Sequence, residues 1–81
     1  MNILITGASR GIGAAAYALL RHSGHNAVGH STKGSDTLIA GDLMSPTAPR
    51  DIWDTAMDEL GGHIDALVNN AGIYEAVSDN A

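Results

Sequence analysis

The run Thr6-Gly7-Ala8-Ser9-Arg10-Gly11-Ile12-Gly13 holds the residue types best placed to do chemistry. Glycines let the backbone come close to a ligand, and a helix that starts there turns unpaired N–H groups and a partial positive charge outward. The chemistry implied is the cradling of a phosphate. The same glycines would equally serve a tight turn and close packing of helix on strand. Their spacing is Gly-x-x-x-Gly-x-Gly, not the Gly-x-Gly-x-x-Gly of the general dinucleotide fingerprint. A second candidate is Asp65-Ala66-Leu67-Val68-Asn69-Asn70-Ala71-Gly72, whose asparagines read by themselves as a strand-ending turn. Asp42, in Gly41-Asp42-Leu43, reads by itself as a turn or helix-approach residue. The absence of cysteine removes thiolate chemistry, disulfides and cysteine zinc sites. Of the four histidines, His22 suits a helix end and His25 and His63 sit in turns beside glycines, so no metal site is expected. Asp51, Asp54, Asp58 and Glu59 form a solvated helix face rather than a catalytic pair.

These residues need a scaffold, and the hydrophobic pattern supplies one. Ile3, Leu4 and Ile5 form a continuous apolar run that ends at Thr6 and Gly7, as in a strand buried on both faces of a parallel sheet. Ile12, Ala15, Ala16, Leu19 and Leu20 recur at helical spacing, predicting a helix over Arg10 to Ser23 with these residues on its buried face. Further strands are expected at Asn26 to His30, Thr37 to Gly41 and Ile64 to Asn69. A second helix over Pro49 to Leu60 buries Ile52, Ala56 and Leu60 and is ended by Gly61 and Gly62. Only Ser31 to Asp36 joins the second strand to the third, too little for a helix. Six extended residues reach ~20 Å, which allows either a bare parallel crossover or an antiparallel hairpin.

Eighty-one residues with 44% hydrophobic and 16% charged side chains predict one folded domain over residues 1–81. A net charge of −5 gives no electrostatic footprint for nucleic acid or an anionic membrane. The N-terminal apolar run is far shorter than a signal-peptide core or a membrane span, so a cytoplasmic protein is expected.

Taken together, Thr-Gly-x-x-x-Gly-Ile-Gly at Thr6 to Gly13, Asn-Asn-Ala-Gly at Asn69 to Gly72 and Gly-Asp-Leu at Gly41 to Leu43 resemble the amino-terminal half of the short-chain dehydrogenase/reductase family. The resemblance implies an α/β fold, a truncated Rossmann-like half whose parallel sheet of about four strands runs 3-2-1-4 with two main helices, and so favours the crossover over the hairpin. It implies that backbone at Gly7, Ser9, Ile12 and Gly13 wraps the pyrophosphate and adjoining ribose, with Gly11 also among the cofactor-binding residues, and that Asp42 and Leu43 flank adenine. Asn70, Ala71 and Gly72 would lie along the ribose on the nicotinamide side, and Asn69 would tie neighbouring strands together.

An acidic residue at the end of the second strand would bind the ribose hydroxyls of NAD and repel a 2'-phosphate. Here that stretch is His30-Ser31-Thr32-Lys33, without an acid. Hydroxyls from Ser31 and Thr32 and charge from Lys33 and Arg10 suit a phosphate, making NADP the expected cofactor ahead of NAD. No catalytic residue is assigned. The family's Tyr-x-x-x-Lys pair is unmatched, because Tyr17 is followed four residues later by Arg21 and Tyr74 by Ser78. The expected function is an NADP-binding half-domain of an oxidoreductase, not catalytically competent alone. The alternative is a small non-catalytic homodimeric nucleotide-binding or regulatory protein. In either case a homodimer is expected through Ile64 to Asn69, an apolar strand with no fifth strand beside it, with Ile73, Tyr74 and Val77 over the seam.

Overall fold

The computed structural model describes residues 1–70. In chain order these form β1 (Asn2–Thr6), α1 (Gly11–His22), β2 (Asn26–Ser31), β3 (Leu38–Ala40), α2 (Ala48–Glu59) and β4 (Ala66–Asn69). The strands make one sheet in the order β3-β2-β1-β4, and every neighbouring pair is parallel. The α/β class and strand order match the expectation, with element ends displaced by one or two residues. Residues 71–81, and with them Ala71, Gly72, Ile73, Tyr74 and Val77, lie outside the described residues.

Alternation along β1 sets the layers. Leu4 points to one face and packs with Ala48, Ile52 and Ala56 of α2, joined by Val28, Ile39, Leu43 and Ile64. Ile3 and Ile5 point to the other and pack with Ala8 against Tyr17 and Leu20 of α1. One helix therefore covers each face of the sheet, the arrangement that parallel strands require.

The buried face of α1 differs from the sequence expectation. Ile12 is 81% exposed and Leu19 64%, and Ala15 is exposed too. Gly13, Ala16, Tyr17 and Leu20 face the sheet instead. The reason is Gly13, which lacks a Cβ and brings that side of the helix against the end of β1, turning the more apolar stripe outward. Leu60, expected on the buried face of α2, is half-buried just past the end of that helix.

The connection from β2 to β3 is the parallel crossover, not the hairpin. Gly29 pairs with Leu38 and Ser31 with Ala40, so β3 returns only two residues along β2, about 7 Å. Two serine turns make that return: Ser31 Oγ accepts from the Gly34 N–H at 2.9 Å, and Ser35 Oγ accepts from the Thr37 and Leu38 N–H groups at 3.2 Å each. A three-residue β3 needs no helix to reach its start.

Candidate functional site

The carboxyl end of the sheet gathers most of the residues singled out from the sequence. Gly7 and Gly11 have φ of 65° and 63°, left-handed values that side chains rarely adopt, and they bend the chain from β1 into α1. Gly13 serves differently. A Cβ there would stand 1.9 Å from the Gly7 carbonyl oxygen and 2.6 Å from Asn70 Nδ2, so only glycine lets α1 start this close to the loop. Arg10 precedes the helix in extended conformation, no side chain caps the helix start, and its first turn holds no acidic residue. The positive end of the helix dipole is thus left without a carboxylate from its own first turn, as suits an incoming anion.

Three strands hold this loop. Ala8 N–H donates to the His30 carbonyl at 2.7 Å, and Gly7 N–H donates to His30 Nδ1 at 3.2 Å, both from β2. From beyond β4, Asn70 Nδ2 donates to the Gly7 carbonyl at 3.0 Å. Thr6 Oγ1 lies 3.3 Å from Asn69 Oδ1, so Asn69 ties β4 to β1 as the resemblance implied. Asn70, expected along a ribose, has its side-chain amide on the glycine loop.

The other expected residues surround this centre. Ser9, Arg10 and Ile12 are exposed at the loop and first turn. Thr32 and Lys33 are exposed past β2, but Ser31 is buried, with its oxygen accepting from the Gly34 N–H in the turn that starts the crossover. Asp42 is exposed past β3, with Oδ1 accepting from the Met44 N–H at 2.9 Å, while the neighbouring Leu43 packs into the core. Beside them lies a cavity of about 300 Å³, mostly apolar, lined in part by Thr6, Leu43, Trp53, Leu67 and Asn69. Such a slot accepts a flat, weakly polar ring better than a charged group. Among the described residues no three His, Asp or Glu side chains come together in a metal-binding group, and no helix is long and apolar enough to cross a membrane.

His30 is the residue that sequence reasoning passed over. It is 2% exposed, and besides its contact with Gly7 it places Nε2 2.7 Å from the Gly41 carbonyl. The available signal was an imidazole inside an otherwise small and apolar strand, level with the loop that follows the neighbouring strand.

A glycine loop, an open helix start and an apolar slot at the carboxyl ends of parallel strands form the arrangement in which open α/β sheets bind nucleotides. The model of the short chain dehydrogenase family matches residues 1–81. The chain belongs to the short-chain dehydrogenase family. Among relatives in that family, it is 32% identical to short chain dehydrogenase adrF of Penicillium roqueforti, over 90% of this chain and 32% of that protein. It is 37% identical to the 3-oxoacyl-[acyl-carrier-protein] reductase FabG of Vibrio cholerae, over 86% of this chain and 33% of that one. The crystal structure of the 3-alpha-hydroxysteroid dehydrogenase from Pseudomonas sp. B-0831, complexed with NADH, superposes with a TM-score of 0.69 at 35% identity, covering 80% of this chain and 28% of that one. The chain therefore spans about a third of the length of the short-chain dehydrogenases it matches.

Proposed function

We propose that this chain is the dinucleotide-binding half of an NADP-dependent oxidoreductase and does not turn over substrate alone. The observation that carries the reading is the start of α1, uncapped and without acid, behind two left-handed glycines and beside Gly13, where a Cβ would fill the cradle. Backbone at Gly7, Ser9, Gly11, Ile12 and Gly13 would hold the pyrophosphate. Asp42 and Leu43 would border adenine at the apolar cavity, and Asn70, Ala71 and Gly72 would follow the nicotinamide-side ribose. When bound, the nicotinamide supplies a site that gives or takes a hydride. The NADH of the Pseudomonas enzyme supports a nicotinamide dinucleotide. The preference for NADP rests on β2, which ends in a buried serine rather than a carboxylate, with Thr32, Lys33 and Arg10 exposed around it. Of the two hydroxyls, that of Thr32 is the more accessible to a phosphate, because Thr32 is exposed and Ser31 is buried. Calorimetry with NADP and NAD tests this. Weaker or absent binding of NAD is expected, and equal or tighter binding of NAD would overturn the choice of cofactor.

A second reading, a non-catalytic homodimeric nucleotide-binding protein, is favoured by the outer edge of β4. Among the described residues β4 pairs only with β1, and its Leu67 is 51% exposed, with Val68 exposed beside it. An unpaired apolar edge is a template for a second strand, and two copies of β4 related by a twofold would pair antiparallel and extend the sheet. Light scattering at micromolar concentration distinguishes the states: a dimer that Leu67→Lys dissociates supports self-pairing, and a monodisperse monomer contradicts it.

A further inference from the structure

We propose that His30 is a positioning residue for the nucleotide site, a neutral imidazole fixed as the Nε2–H tautomer that locks the glycine loop to the loop after β3. The inference rests on the nucleotide reading above and adds a residue to it.

The tautomer follows from what each partner can do. Gly7 N–H can only donate, so His30 Nδ1, 3.2 Å away, must be an unprotonated acceptor. The Gly41 carbonyl can only accept, so Nε2, 2.7 Å away, must carry the proton. The two contacts together admit one form of the ring, neutral and protonated at Nε2. A protonated imidazole would present N–H to N–H at Gly7.

The loops so joined are the two that the nucleotide reading needs in register. Gly7 opens the phosphate cradle, and Gly41 precedes Asp42 and Leu43 on the adenine side. Backbone bonds parallel the ring: Ala8 N–H donates to the His30 carbonyl, and Gly41 N–H to the Ser31 carbonyl at 3.1 Å. Gly7 is also held from its other side, because its carbonyl accepts from Asn70. A left-handed peptide at the head of the cradle is therefore clamped from both neighbours of β1, and the imidazole is the clamp on the β2 side. At 2% exposure the ring exchanges these bonds with water only if the loops separate.

Two amides divide the ring's work. The Asn side-chain oxygen falls near the Nδ1 position and keeps the acceptor for Gly7, whereas the Gln amide nitrogen falls near the Nε2 position and keeps the donor for Gly41. Wild type, His30→Asn, His30→Gln and His30→Leu are compared by calorimetry with NADP, by thermal unfolding and by ¹⁵N NMR of the ring. The expected ring spectrum shows a protonated Nε2 and an unprotonated Nδ1 at neutral pH. Affinity for NADP is expected to fall tenfold or more in His30→Leu and His30→Gln and to stay within about threefold of wild type in His30→Asn, whatever the order of their melting temperatures. A charged or Nδ1-protonated ring, or affinity unchanged in His30→Leu and His30→Gln, would overturn the role of His30 while leaving the nucleotide site intact. Affinity losses that vanish when each variant is measured at a temperature where it is fully folded would reduce the residue to packing. Wild type that fails to bind NADP at millimolar concentration would overturn the nucleotide reading itself, while the ring spectrum still reports the clamp.

Discussion

Asn2 at the amino end of β1 and His30 at the carboxyl end of β2 are both buried polar side chains, 6% and 2% exposed, yet they hold different kinds of structure. Asn2 ties a closed knot. Its side-chain nitrogen donates to the Leu60 and His63 carbonyls at 2.9 and 3.0 Å, its side-chain oxygen accepts from Asn26 at 3.1 Å, and its N–H donates to Asp65 Oδ2 at 2.7 Å. Those bonds join β1, β2 and the turn from α2 into β4. His30 instead secures the flanks of two loops while the start of α1 still faces outward. A recess of about 540 Å³ does open at the amino end, between Arg21 and Glu59, but the last turn of α1 borders it. That turn carries the negative end of the helix dipole, and Arg21 is held over Tyr17, donating to its hydroxyl at 2.7 Å. Of the two cavities described, size alone would choose this recess. The direction of the helix and the glycine loop choose the other end.

If that contrast is right, damage at the carboxyl end costs binding beyond its cost in stability, and damage at the amino end costs stability alone. The largest effect is expected from Gly13→Val. Its Cβ would meet the Gly7 carbonyl and Asn70, so backbone must move. Overpacking of this kind costs about 1–3 kcal/mol, roughly 5–20 °C in Tm for a domain this small. Loss of detectable NADP binding should accompany the fall, and retention of binding would separate the cradle from Gly13. Asn2→Ala comes next and cuts the other way. Removing bonds that leave the Leu60 and His63 carbonyls and Asn26 without this partner should cost about 1–3 kcal/mol, read by chemical denaturation. At a temperature where the variant is folded, its affinity for NADP should equal wild type; a tenfold loss would make the amino end part of the site.

Smaller effects sharpen the comparison. Replacing both Arg10 and Lys33 with Ala removes two exposed cations from the carboxyl end, and should lower affinity for NADP about five- to thirtyfold at low salt, with little change for NAD. Equal losses for both cofactors would place those cations on the pyrophosphate instead. At the amino end, the hydrogen bond from the Asn2 N–H holds the Asp65 carboxyl below its ordinary pKa, aided by His63 at 3.5 Å and opposed by partial burial. A carboxylate whose pKa is depressed on folding stabilises the fold above its unfolded pKa, and that contribution is lost as pH falls below roughly 4. Asp65→Asn should therefore melt slightly below wild type at neutral pH, and the gap should close in acid. NADP affinity should not follow it, and an acid-dependent affinity that vanished with Asp65 would join the two ends.

Much of this was legible from residues with one strong preference. The apolar run Ile3 to Ile5, the glycine loop and the asparagines at the carboxyl end of β4 declared their places, because parallel burial and a tight strand-to-helix turn admit few other residues. The face of α1 was misread for a definite reason: periodicity weighs apolar side chains, and it cannot see that a glycine on the adjoining stripe permits the closer approach. Spacing located the Ser31 hydroxyl at the end of β2 but could not show that the residue is buried there and accepts from the Gly34 N–H. His30 stayed hidden because its partners, Gly7 and Gly41, are 23 and 11 residues away and become neighbours only once β2 lies between β1 and β3.

Whether the carboxyl end of the sheet is a nucleotide cradle is read by titrating the ¹⁵N-labelled chain with NADP and following its backbone amides. Saturable shifts are expected at Gly7, Ser9, Arg10, Gly11, Ile12, Gly13 and Asp42, with Asn2, Asn26, Leu60 and Asp65 unmoved. Shifts centred on those four amino-end residues, or none at millimolar NADP, would contradict it.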